Sequence, residues 1–160
     1  MTPRIAVLII SDSVTSGERT DKSGAAIVAW AGVHDFRVTA QAVVPDEVGA
    51  IISQLCAWAD GNIADVILTT GGTGFGPRDV TPEATRAVIT RDAPGIPEAI
   101  RAAAFPTTPK AALSRAIAGT RAASLIVNLP GSLGGVRDGL AVMTSLVPHI
   151  AQLLQGDTEH

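Results

Sequence analysis

One apolar run that breaks into glycines and then into a helix start limits the folds open to this chain more than any other stretch. Ala64-Asp65-Val66-Ile67-Leu68 reads as a buried strand, Thr69-Thr70-Gly71-Gly72-Thr73-Gly74-Phe75-Gly76 follows as a loop, and Thr81-Pro82 opens a helix. Thr81 can cap that helix and Pro82 suits its first turn. Glycines in such a loop let backbone N–H groups approach a ligand with no Cβ in the way, and turns of this kind form concave donor arrays that suit phosphate oxygens. Arg78 and Asp79 close the loop, so an anion-binding backbone stands beside a guanidinium and a carboxylate able to ligate Mg²⁺. The same residues also fit a plain βα turn whose Asp79 helps cap the helix.

The rest of the chain repeats this pattern. Ile5 to Ile10 is continuous and rich in β-branched residues, as expected of a central strand, and it delivers Ser11 and Asp12 at its carboxyl end. A polar loop, 14 to 22, precedes a small-residue helix that Asp21 or Ser23 can cap. Phe36 to Val44 alternates apolar with polar, which fits a strand nearer a sheet edge. Pro45-Asp46-Glu47 then starts a helix with an apolar stripe at Val48, Ile51, Ile52, Leu55 and Ala59, and as its N-cap Asp46 needs no other role. Helices are expected from Pro82 and again after Pro94-Gly95, then a short strand before a turn at Gly119. A buried strand from Ser124 to Leu129 delivers Pro130-Gly131-Ser132, and a last helix runs from about Gly135 to Leu154, restarted or kinked by Pro148.

Strands alternating with helices predict a three-layer α/β/α fold, a mostly parallel sheet with helices on both faces. Ser11-Asp12, Gly71 to Gly74 and Pro130 to Ser132 all follow apolar runs, so they share the carboxyl rim where parallel sheets bind ligands. With 160 residues, 46% of them hydrophobic, the chain can bury roughly two-thirds of its unfolded surface in one core, so a single domain over residues 1–155 is expected, with 156–160 a frayed tail.

Composition removes several function classes. Twelve basic and fifteen acidic residues are scattered without a basic run and only 3% of residues are aromatic, which argues against nucleic acid as partner. Cys56 is the only cysteine, so no intramolecular disulfide or cysteine zinc site is available; it reads as a buried filler. No run is long enough for a membrane span or a signal-peptide core, which points to a cytoplasmic protein. The glycine loop lacks the lysine and spacing of a P-loop, Gly131-Ser132-Leu133-Gly134 is not a nucleophile elbow, and His34, His149 and His160 are not placed for a triad.

Thr69-Thr70-Gly71-Gly72-Thr73-Gly74, Arg78-Asp79-Val80-Thr81-Pro82-Glu83-Ala84, Pro94-Gly95, Leu113-Ser114-Arg115 and Asn128-Leu129-Pro130-Gly131-Ser132 occur in one order. Together they resemble the molybdopterin-binding family that includes the bacterial Mog and MoaB proteins and the gephyrin G domain. The resemblance runs from Ser11-Asp12 to the final helix, and Pro45-Asp46-Glu47 with Arg78 to Pro82 looks more like the Mog branch than the MoaB branch. It implies Mg²⁺- and ATP-dependent adenylylation of molybdopterin in molybdenum cofactor biosynthesis, leaving AMP on the pterin's terminal phosphate and releasing pyrophosphate. It also implies a homotrimer and a hand-over to a molybdate-inserting enzyme whose additional domains this chain is too short to carry.

On that implication Asp79 and Asp46 are catalytic and hold Mg²⁺ or orient the phosphates. Ser11, Asp12, Thr70, Gly71, Gly72, Thr73, Gly74, Pro130, Gly131 and Ser132 contact phosphate or pterin, and Ser114 and Arg115 supply further polar contacts. The rivals are a carrier of the same fold that holds molybdopterin without transferring AMP, and an unrelated nucleotide-binding module. The latter explains the loops but not the ordered motifs.

Overall fold

Strand β1 (Arg4–Ile10) shows how the sheet is built, because its side chains divide between two cores with the period of two that an extended chain imposes. Ile5, Val7 and Ile9 join one cluster; Ala6, Leu8 and Ile10 join the other. A computed structural model describes residues 1–157 and provides the remaining elements. These are α1 (Asp12–Thr15), α2 (Ser23–Val33), β2 (Arg37–Val44), α3 (Val48–Asp60), β3 (Val66–Thr70), α4 (Thr81–Val88), β4 (Arg91–Asp92), α5 (Gly95–Ala104), a 3₁₀ turn over Pro109–Leu113, β5 (Ala118–Arg121), β6 (Ser124–Leu129) and α6 (Leu133–Leu154).

The sheet order is β2-β1-β3-β6-β5-β4. The first four strands are parallel, and β5 and β4 run antiparallel at one edge. Helices α2, α5 and α6 cover the face of Ile5, Val7 and Ile9, with Ile27, Ile100, Leu140 and Met143 in the interface. Helices α3 and α4 cover the other through Ile51, Leu55, Ala84 and Val88. This is the expected three-layer α/β/α arrangement. Each such valine, leucine, isoleucine or methionine side chain, fully buried, contributes about 1.5–3 kcal/mol of transfer free energy.

Three local expectations need correcting. Gly119 lies inside β5 rather than at a turn, because a Cβ there would approach Arg91 O to 2.5 Å and Ile89 Cδ1 to 2.6 Å; the glycine lets β4 pair closely. The hairpin turns instead at Ala122, which takes φ 50 without a glycine to mark it. Pro148 neither restarts nor breaks α6. Met143, Val147 and Ala151 continue one buried stripe across it, and that packing outweighs the single backbone donor proline removes. The loop expected over 14–22 begins inside α1 (Asp12–Thr15), which Ser11 caps, its Oγ accepting from Val14 N at 3.2 Å.

Residues 156 and 157 close α6 rather than fray. Gly156 (φ 84) donates to Leu153 O at 3.1 Å and Asp157 N donates to Gln152 O at 3.1 Å, the paired bonds of a Schellman motif. The remainder of the expected tail, 158–160, lies outside the described residues.

Candidate functional site

The carboxyl ends of β2, β1, β3 and β6 lie side by side, so Asp46, Ser11-Asp12, Gly71 to Gly74 and Pro130 to Ser132 leave the sheet on one rim. The segment carrying Ser114 and Arg115 joins them from outside the sheet, where Arg115 N donates to Thr73 O at 2.9 Å. Positive φ and close packing explain the first two glycines. Gly71 (φ 104) passes so close to β1 that a Cβ would collide with Ile10 O, and at Gly72 (φ 69) it would collide with Thr81 Oγ1 and stand 3.0 Å from Asp46 Oδ1. The second turn packs against the first: Thr70 Oγ1 donates to Pro130 O at 2.7 Å, and a Cβ on Gly131 would lie 3.3 Å from Gly71 Cα.

Thr81 does not cap α4. Val80 stands at that position, while the Thr81 hydroxyl donates to Gly71 O at 2.9 Å and its N–H to Gly72 O at 3.1 Å, tying the helix start to the glycine turn. Asp79 does not cap either. Its Oδ2 accepts from Gly76 N at 2.9 Å, and Cβ atoms on Gly74 or Gly76 would lie 2.8 and 2.9 Å from that oxygen. These two glycines make room for the carboxylate to fold back on its own loop.

Asp46 is likewise not the N-cap of α3, a place taken by Glu47. It exchanges bonds with Asp12: Asp12 N donates to Asp46 Oδ2 at 2.9 Å, and Asp46 N donates to Asp12 Oδ1 at 3.0 Å. Arg78 reaches from the glycine loop to Asp12 with a two-pronged bond, Nε to Oδ2 at 2.9 Å and Nη2 to Oδ1 at 3.0 Å. The two carboxylates are therefore held differently. The Arg78 guanidinium, helped by the Asp46 N–H, lowers the Asp12 pKa. Burial raises that of Asp46, and the charges of Asp12 and Asp79 add to the rise against the opposing bond from Asp12 N.

Two cavities open on either side of the glycine loop. The larger, about 600 Å³, is lined by Ser11, Asp12, Lys22, Asp46, Thr70 and Gly71 among others. The smaller, about 380 Å³, has apolar walls from Pro97, Ile100, Ala104 and Leu113, with Thr73, Gly74, Arg101, Lys110, Ser114 and Asp138 between them. Gly72, Asp79, Gly131 and Ser132 line both. Ser132 is the N-cap of α6, accepting from Gly135 N at 3.1 Å, so a long helix points its amino end at the wall where the cavities meet. Such an end favours anions through its unpaired N–H groups and its dipole.

Arg115 is the expected site residue that lines neither cavity; its guanidinium is spent on Gly74 O, Asp79 O and Glu83. Sequence reasoning overlooked Lys22, Arg101, Lys110 and Asp138. A signal existed for two of these, since Lys22 and Lys110 are the only lysines in the chain and each lines one cavity. Arg101 and Asp138 sit in helices whose sequence gives no hint of a pocket.

Comparison with known proteins places this geometry. The family described as "Probable molybdopterin binding domain" matches residues 6–151. The chain belongs to this family. Its members include the molybdopterin adenylyltransferase of Escherichia coli K12, 39% identical over 97% of this chain and 87% of its own length. The gephyrin of Dictyostelium discoideum is also 39% identical, over 94% of this chain. The chain spans only 22% of that gephyrin, and 49% of a bifunctional molybdenum cofactor biosynthesis protein from Chlorobaculum tepidum. The crystal structure of the molybdopterin biosynthesis enzyme MoaB from Thermus thermophilus superposes with TM-score 0.91 at 44% identity, covering 97% of this chain and 98% of that one. The structure of the molybdopterin biosynthesis Mog protein from Mycobacterium ulcerans superposes with TM-score 0.88 at 38% identity, covering 96% of this chain and 99% of that one, so both branch names occur among the similar proteins and choosing between them falls to the site's own residues.

Proposed function

We propose that the protein is a molybdopterin adenylyltransferase of molybdenum cofactor biosynthesis. An oxygen of the pterin's terminal phosphate attacks the α-phosphorus of ATP; the new P–O bond forms as the bond to the bridging oxygen of the β-phosphate breaks, and pyrophosphate leaves. The observation that carries this reading is the pair of cavities meeting at Gly72, Asp79, Gly131 and Ser132. A reaction between two large substrates needs two sites with a common wall, and holding the reacting groups together there removes much of the entropic barrier.

The residues fit phosphoryl chemistry without a covalent protein intermediate. Gly72 and Gly131 bring backbone close to the junction, and the α6 amino end behind Ser132 favours the phosphate oxygens. Asp46 and Asp79 each have one oxygen tied to a backbone N–H, which fixes the carboxylate. Hard, pre-oriented oxygens of this kind suit Mg²⁺, an ion held by one or two carboxylates together with substrate phosphates. When bound there, Mg²⁺ would neutralise charge on the transferring phosphoryl group. We further propose a homotrimer that hands its product to a molybdate-inserting enzyme, as the family resemblance implies. Among the described residues no helix is long and apolar enough to cross a membrane.

The test is to incubate the protein with molybdopterin and Mg-ATP and follow pyrophosphate and adenylylated pterin. Turnover is expected, with Asp79→Ala slower by about hundredfold, the usual cost of about 3 kcal/mol for losing one such stabilising contact. Tight pterin binding without turnover in the parent protein would replace the enzyme reading with a carrier.

A further inference from the structure

We propose that Arg115 is a positioning residue that holds the Asp79 loop in its working shape from behind and never touches substrate. The guanidinium serves three partners at once: Nε donates to Gly74 O at 2.8 Å, Nη2 to Asp79 O at 2.8 Å, and Nη1 to the Glu83 carboxylate at 2.6 and 3.1 Å. The Arg115 main chain adds a bond to Thr73 O at 2.9 Å. One residue thereby fixes the carbonyls on both sides of the Gly74–Asp79 loop and anchors them to the first turn of α4. Only a planar fork with several donors can do this, because an ammonium offers a point charge with no fixed plane.

The loop needs such support. Phe75 at its tip is 71% exposed and packs on no core, so no hydrophobic contact holds the apex. Asp79 keeps its orientation through the single bond from Gly76 N, whose direction follows the loop backbone. Release of the Arg115 fork frees the Gly74 and Asp79 carbonyls and leaves the span held at the surface by the Arg78–Asp12 pair and the Asp79 N–H bond to Gly76 O. Asp79 then moves relative to the cavity junction while the sheet and the rest of the lining stay in place. A displacement of about 1 Å at a reacting centre costs roughly hundredfold in rate.

The kinetic arm of the test rests on the adenylyltransferase reading; the exchange arm does not. In hydrogen exchange on the ligand-free protein, Arg115→Met is expected to speed exchange across residues 73–80 while β1, β3 and β6 keep their protection. In turnover assays well below its melting temperature, kcat is expected to fall about hundredfold with KM for molybdopterin within about threefold. Arg115→Lys is expected to fall between parent and Arg115→Met. Unchanged exchange in the loop would overturn the proposal, as would a loss confined to KM or full activity in Arg115→Lys. A parent protein that does not transfer AMP would overturn the proposed reaction alone, and the exchange result would still decide the role of Arg115.

Discussion

Gly72→Ala is a severe single-methyl change at the site. An alanine at φ 69 costs about 1–2 kcal/mol because its Cβ crowds the following carbonyl. The added Cβ also occupies the space of Thr81 Oγ1, which is buried and donates to Gly71 O at 2.9 Å. Moving that hydroxyl breaks the bond and leaves a buried polar group unpaired, a further cost of about 1–3 kcal/mol. The sum is about 2–5 kcal/mol, which in a domain of this size lowers Tm by roughly 4–20 °C. Gly49→Ala is the matched control: it lies in the first turn of α3, and nothing approaches its Cβ position within 4 Å. Alanine there narrows the unfolded ensemble and gains about 0.4–1 kcal/mol, or roughly 1–4 °C. Thermal denaturation followed by circular dichroism measures both. A Gly72→Ala protein melting within about 2 °C of the parent, the low end of the shift per kcal/mol for this size, would refute the crowding. A Gly49→Ala protein that falls as far would show that space around the glycine is not what decides.

Two further predictions concern carboxylates of opposite sense, half-buried Asp46 and buried Asp65. Asp46 has a raised pKa, so the folded state binds its proton more tightly and stability falls as pH climbs above the ordinary 3.8 through the folded value. Asp46→Asn keeps an oxygen for the Asp12 N–H and lacks that titration. It is expected to be more stable than the parent at neutral pH, with the difference vanishing in acid, and to be slow in turnover; equal urea midpoints at both pH values would sink this. At the far end of the sheet burial pushes Asp65 up, but bonds from Arg4 and Gln155 prevail and lower its pKa, so its contribution persists above the ordinary carboxylate range and is lost only as pH falls through the folded value. Arg4→Met strips the guanidinium bonds at 2.8 and 3.4 Å and is expected to cost about 2–4 kcal/mol at neutral pH by urea titration, less in acid where the carboxyl is protonated.

The parallel strands and the shared rim were legible because continuous runs such as Ile5 to Ile10 and Leu125 to Leu129 can be buried on both faces only inside a covered sheet. The antiparallel edge was not. Arg91–Asp92 is too short for any periodicity, and Gly119 carries the composition of a turn while serving a close strand approach. In the site, the residue types were legible but their duties were not. Asp46, Asp79 and Thr81 each stand one residue from an N-cap position, and local rules assign them to the nearest helix. Their actual partners, Asp12, Gly76 and Gly71, are chosen by how the turns stack, and only Gly76 is close in sequence. Arg115 shows the same limit: a polar residue in a site motif was expected to face the ligand, yet it faces the loop that does.

The opposite titrations of Asp12 and Asp46 bear on which activity the site suits. Their mutual backbone bonds are nearly symmetric, at 2.9 and 3.0 Å, and cannot separate them. What separates them is that Arg78 makes its two-pronged bond to Asp12, while at Asp46 burial, with the charges of Asp12 and Asp79, prevails over the bond from Asp12 N and the weaker pull of the Arg78 charge. The nearby guanidinium of Arg115 is occupied by Glu83 and two loop carbonyls. Among the described residues neither Asp46 nor Asp79 is held in an ion pair. A protein that only stored a phosphorylated pterin would be poorly served by two such carboxylates, which repel a phosphate. A phosphate chain that arrives with its own counter-cation removes the repulsion and uses the carboxylates as ligands. That condition is met by the proposed transfer from a metal-bound nucleotide and not by simple retention of the pterin, so charge balance at Asp46 and Asp79 favours the enzyme over the carrier.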